Sequence, residues 1–159
     1  MQKASNPFQI IKTIFLAGLL AGTLDILAAI VILGKMNAEK VLQYIASGVY
    51  GKVAFEGGHV MAWAGLVFHY LIALSFAADF FILYSIVPII RKYTIGSGLL
   101  FGIFVWVVMN LVILPLTNVS RGNFTFSGVL LNMVILMLAV GLPISLVTNK
   151  MVSKSDEQL

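Results

Sequence analysis

The chain has 159 residues, of which 60% are hydrophobic and only 10% charged, and its mean hydropathy is +1.04. Soluble domains average about 25% charged residues, so the composition predicts an integral membrane protein with room for four spans and no separate soluble domain. The formal net charge of +4 lies mostly at span ends and reads as topology, not as a nucleic-acid footprint. The absence of cysteine excludes disulfides, thiolate metal sites, Cys nucleophiles and c-type haem attachment.

Residues 1–9 are polar, with Lys3 and Pro7, and a first span is predicted from about Ile10 to Leu33. A signal peptide is the rival reading. The apolar run exceeds the usual ~7–15-residue core of such a peptide, Asp25 interrupts it, and no clean cleavage site follows, so a retained span is favoured. Between Gly34 and Glu56, Ala38, Val41, Leu42, Ile45 and Val49 recur at helical spacing, with Asn37 as N-cap and Lys40 and Gln43 off the apolar stripe. This predicts a short amphipathic helix, either lying in the membrane interface or packed over the mouth of the bundle.

A second span is expected from about Gly58 to Val87, before Pro88, Arg91 and Lys92. At ~1.5 Å per residue it exceeds a ~30 Å hydrocarbon core and must tilt or project. A third span is expected from about Ile95 to Leu114, ahead of Pro115, and a fourth from about Ser127 to Val147. The polar turn between them holds Arg121, Gly122 and two glycosylation-type triplets, at Asn118 and Asn123, to which chance gives little weight. Four spans put both termini on one side. Lys3, Lys12, Arg91, Lys92, Lys150 and Lys154 fall there, against Lys35, Lys40, Lys52 and Arg121 opposite, a six-to-four bias that places both termini in the cytoplasm.

Gly18-Leu-Leu-Ala-Gly22 and Gly98-Leu-Leu-Phe-Gly102 lie 80 residues apart, in spans that run the same way. A duplicated hairpin would give this pattern, although glycine and leucine are common enough here to favour coincidence. In either case both are small-xxx-small motifs, which let helix backbones approach closely in lipid.

Polar residues in the spans share faces with small residues and so point into the bundle. Asp25 stands about eight residues from the outer end of its span, His69 about ten, Asn110 about four and Asn132 about five, or roughly 6–15 Å deep. Four helices thus deliver an Asp, a His and two Asn to one outer layer, with His59 and Glu56 expected at its mouth. One reading is a polar pocket in which Asp25 and His69 handle protons or grip a ligand. The other is interhelical glue, worth roughly 0.6–2 kcal/mol per hydrogen bond. The two balance for Asp25 and His69, and glue is favoured for Asn110 and Asn132. Asp79, near the opposite end, is expected to pair with Arg91, Lys92 or Lys12. Trp63 and Trp106 read as packing or interface anchors.

His59 and His69 share one helix, which makes a single-chain bis-histidine haem a poor fit. Glu56, His59, Asp25 and His69 show no H-x-x-x-H or H-E-x-x-H spacing for a metal. No nucleophile elbow, P-loop or dinucleotide fingerprint is present. No cofactor is expected.

Gly58-His59-Val60, Trp63, Gly65 and His69, followed by Pro88, the glycine-rich opening of the third span and Pro115, make residues 57–116 similar to the YagU-type family of small bacterial inner-membrane proteins. The resemblance implies a multi-span protein of the cytoplasmic membrane, in a family of undefined activity, and directs attention to His59 and His69.

The expectation is therefore an all-α, four-transmembrane-helix bundle in a single membrane domain, with an interfacial amphipathic helix after the first span. Lipid is its surroundings, nucleic acid is not a partner, and self-association is left open. The leading function is binding or passage of a small polar solute, or of protons, through Asp25, His69, His59, Asn110, Asn132 and Glu56. The rivals are a non-catalytic accessory subunit, and a membrane enzyme using Glu56 and His59 at the outer interface.

Overall fold

The structure is a computed structural model that describes residues 7–119 and 125–157, with side chains as far as 154. Arg121, Gly122 and Asn123 of the expected polar turn lie outside the described residues, as does Lys3.

The protein is an all-helical membrane protein with four helices long and apolar enough to span: α1 (Pro7–Leu33), α3 (Gly58–Ile86), α5 (Thr94–Leu116) and α6 (Phe126–Lys154). The shorter α2 (Ala38–Tyr50) follows the first span, and α4 (Pro88–Lys92) is a single turn after the break at Pro88. The spans run longer than the hydropathy pattern indicated. α1 begins three residues earlier, at Pro7, whose missing N–H costs nothing in a first turn. α6 carries on past Val147, because Asn149 and Lys150 are ordinary helix residues once clear of the hydrocarbon.

Each GLLxG motif packs against the span that follows it. A Cβ on Gly18 would lie 2.8 Å from Leu74 Cδ2, and one on Gly22 3.0 Å from the Tyr70 ring and 3.1 Å from Ala73. The second motif is tighter. A Cβ on Gly98 would lie 3.0 Å from the carbonyl oxygen of Gly141, and one on Gly102 would run into the backbone of Leu136 and Met137. These contacts make the neighbours antiparallel and bring both termini to one end of the bundle.

At that terminal end the spans close on a core of Ala17, Ala21, Phe76, Phe80, Tyr84, Phe101, Val140 and Ile144. The Phe80 and Phe101 rings meet edge to face, 4.9 Å apart. Polar contacts finish this end: Tyr84 Oη donates to Asn149 Oδ1 at 2.7 Å, and Ser145 Oγ donates to the Thr94 carbonyl at 2.7 Å.

Toward the other end three spans carry π turns, at Ala29–Leu33, Val108–Ile113 and Met137–Gly141. The second and third are each followed by Leu-Pro, Leu114-Pro115 and Leu142-Pro143. A proline within a helix lacks its N–H and crowds the carbonyl four residues earlier. A wider turn just before it relieves that clash.

α2 packs over the mouth of the bundle. Asn37 caps it, accepting the Lys40 backbone N–H at 2.9 Å. Its backbone at Leu42 sits directly on Gly65 of α3, where a Cβ would fall on the peptide carbon and oxygen. Gln43, expected on the polar face, is instead buried, and its Nε2 donates to the Gly58 carbonyl and to Glu39, both at 3.2 Å. That bond ties α2 to the start of α3. Asn118 secures the other end of α2, its backbone N–H and Nδ2 reaching the Gly48 and Val49 carbonyls at 3.1 Å each.

Gly102→Leu should lower stability by more than about 3 kcal/mol, because the backbone of α6 occupies the space the side chain needs. Gly96→Ala, where a Cβ meets nothing within 4 Å, should change it by less than about 1 kcal/mol. Thermal melts of both variants in the same detergent check the contrast.

Candidate functional site

The distal half of the bundle encloses a cavity of about 900 Å³ between the four spans and α2. Each π turn contributes to its wall: Ala29 and Leu33 from the first, Asn110 and Ile113 from the second, Val140 from the third. Most of the remaining lining is apolar, including Ile26, Phe68, Ile72, Phe76, Val105 and Ile135. Asp25, His69, Asn110 and Asn132 all line it, so the four residues placed at one depth by helix arithmetic border one space. Lys35, Lys40, Tyr44 and Thr117 also line it, nearer the distal end. Hydropathy could not single these out, because their relation to the spans depends on how α2 folds back.

No hydrogen bond or ion pair joins Asp25 and His69. His69 is buried against α1, and its Nε2 lies 2.7 Å from the carbonyl oxygen of Gly22, with Nε2–H as the donor. Gly22 has no side chain, which is why the imidazole can reach the α1 backbone. The bond fixes the ring and leaves Nδ1 for another partner. Asp25 lies one turn farther along α1 and lines the same cavity. Its carboxylate has no hydrogen bond or ion pair among the described residues. Asn110 Nδ2 donates to the Trp106 carbonyl at 2.9 Å, one turn back on its own helix. An amide oxygen could not make that bond, so the side-chain orientation is settled and Oδ1 is left over. Asn132 makes no hydrogen bond among the described residues. Neither Asn bridges two helices, the role that had been favoured for them.

His59 and Glu56 stand apart from the cavity. The His59 ring faces outward, its Nδ1 3.7 Å from Glu39 Oε2 on α2 in an exposed contact. Glu56 is exposed beside the start of α3. Glu56 precedes and His59 follows the tight turn at Gly57 and Gly58, and both are exposed. Among the described residues no three His, Asp or Glu side chains converge as metal ligands.

Asp79 also departs from expectation. It is exposed on the outer face of α3, with no ion pair among the described residues. Arg91 turns to the end of α3 instead, donating from Nε to the Tyr84 carbonyl at 2.8 Å and from Nη2 to the Ser85 carbonyl at 2.6 Å. Helix-end carbonyls lack intrahelical partners, and a guanidinium fork satisfies two at once. Trp63 is 68% exposed on α3, in keeping with an interface anchor.

Tyr44 on α2 borders the cavity, and its partial burial pushes the phenol above the ordinary 10.0. Burial favours the neutral form, so its effect on stability is absent below pH 10 and turns unfavourable as pH rises beyond the unfolded value.

No family model matches the chain, and neither a curated protein nor a solved structure matches it.

His69→Ala should lower stability by about 1–2 kcal/mol through loss of the Gly22 bond and of packing. Asp25→Leu, which removes a carboxylate with no protein partner, should leave the melting temperature unchanged or raise it. Thermal denaturation of the two single variants measures the difference. Tyr44→Phe should remove a component that ionises above the ordinary tyrosine range from an ultraviolet tyrosine titration.

Proposed function

We propose that this four-span membrane protein binds a small amphiphilic molecule in the distal cavity. The observation that carries the reading is the cavity itself: about 900 Å³, mostly apolar, with four polar side chains from four different spans on its wall. Ligand sites typically enclose roughly 300–1,000 Å³ and combine an apolar lining with a few convergent polar groups. Ile26, Ile72, Phe76 and Val105 would hold an apolar body, and Asp25, His69, Asn110 and Asn132 would orient its polar group.

Binding is favoured over passage. Toward the termini the spans close on Phe80, Phe101 and Ile144, which are buried and packed together. An outer-interface enzyme built on His59 and Glu56 draws no support from residues that lie away from the cavity. An accessory subunit without a ligand of its own is the remaining rival, and its prediction is that the cavity holds nothing specific. The proposal takes both termini as cytoplasmic and the membrane as a bacterial inner membrane. It does so on the six-to-four basic bias and on the resemblance of residues 57–116 to the YagU-type family.

Ala29→Trp would fill part of the cavity from the α1 wall. In native mass spectra, protein extracted in mild detergent and incubated with a small naphthalene derivative should carry one bound molecule, and the variant should lose it. Equal occupancy of wild type and variant, or none in either, would overturn the proposal.

A further inference from the structure

We infer that the occupant of the cavity is a protonated amine carried on an apolar body. The inference rests on the reading of the cavity as a ligand site, and it follows from which hydrogen-bonding capacity the protein has already used. His69 has one ring N–H committed to the Gly22 carbonyl, so the neutral imidazole has only the Nδ1 lone pair left to offer. Asn110 has an amide hydrogen committed to the Trp106 carbonyl, and its Oδ1 is left to accept. Asp25 has both carboxylate oxygens without a protein partner among the described residues. Asn132 is the only residue of the four with all its amide hydrogens uncommitted. The unspent capacity of this layer is thus weighted toward acceptors, and its one acidic residue is Asp25.

A carboxylate held among apolar side chains in a membrane span is costly unless a cation meets it. An ammonium group supplies that charge together with three N–H donors, which suits a carboxylate, an imidazole lone pair and an amide oxygen. An alcohol supplies one donor and no charge. A carboxylate ligand would face Asp25 with like charge. Lys35 and Lys40 also border the cavity, but both are exposed, where water and salt screen them, whereas the Asp25 layer lies deeper along α1. Around the Asp25 layer the wall is Ile26, Ile72, Phe76 and Val105, so the remainder of the ligand is hydrocarbon or aromatic.

Three probes with one ring system and different heads separate the possibilities: 1-naphthylmethylamine, 1-naphthalenemethanol and 1-naphthoate. Equilibrium binding to wild-type protein in lipid nanodiscs, corrected with protein-free nanodiscs, should show saturable binding of the amine at least about tenfold tighter than the alcohol, and no saturable binding of the carboxylate. Asp25→Asn should reduce amine affinity by about tenfold or more and leave the alcohol unchanged. If the alcohol or the naphthoate binds wild type as tightly as the amine, the assignment of a cation is overturned while the cavity stands as a ligand site. If none of the three saturates, both readings fall. The wild-type comparison alone decides between these outcomes should Asp25→Asn not fold.

Discussion

The bundle depends on backbones brought into contact at glycine. In lipid, hydrocarbon gains nothing by leaving hydrocarbon, so helices associate through close packing and polar contacts. Gly98, Gly102 and Gly141 let α5 lie on the α6 backbone where no Cβ intervenes. Gly18 and Gly22 do the same for α1 on α3, and Gly65 seats α2. Packing this tight at one end also determines where it relaxes. Beyond these glycines α1 and α5 carry the π turns Ala29–Leu33 and Val108–Ile113, and there the cavity opens.

Gly22 shows how one small residue serves packing and chemistry together. Its missing side chain admits both Ala73 and the Tyr70 ring, and it also bares a carbonyl to His69. The imidazole therefore acts as a strut between helices on one ring nitrogen while keeping the other for the cavity. The two readings of His69, interhelical glue and binding group, are compatible because imidazole has two distinct nitrogens. Asp25 has no such dual use. With no protein partner among the described residues, it contributes to the cavity and not to the frame.

The four spans were legible because long apolar runs admit few alternatives, and the common depth of Asp25, His69, Asn110 and Asn132 was legible because helical rise converts sequence distance into height. What the sequence hid was rotation and capping. Gln43 looks like a surface residue by pattern, yet it is buried because the carbonyl of Gly58, on the far side of a turn, takes its amide. His59 opens the span that holds His69 and Glu56 comes just before it, yet on either side of the turn at Gly57 and Gly58 both are exposed. Asp79 and Arg91 are complementary in charge, and still Arg91 serves the carbonyls that Pro88 leaves open at the end of α3. For Gln43 and Arg91 a backbone carbonyl, which has no signature in residue identity, was the competing partner.

The division of labour between the two hairpins bears on how the protein is made. Gly18, Gly22 and Gly65 join α1, α2 and α3 through contacts within the first half of the chain, and Gly98, Gly102 and Gly141 join α5 and α6 through contacts within the second. A ribosome feeding the membrane therefore delivers two locally complete pieces, one after the other. Asp25 and His69 arrive with the first, Asn110 and Asn132 with the second. The cavity wall has no complete precursor in either piece, and it comes into being only when the second hairpin docks.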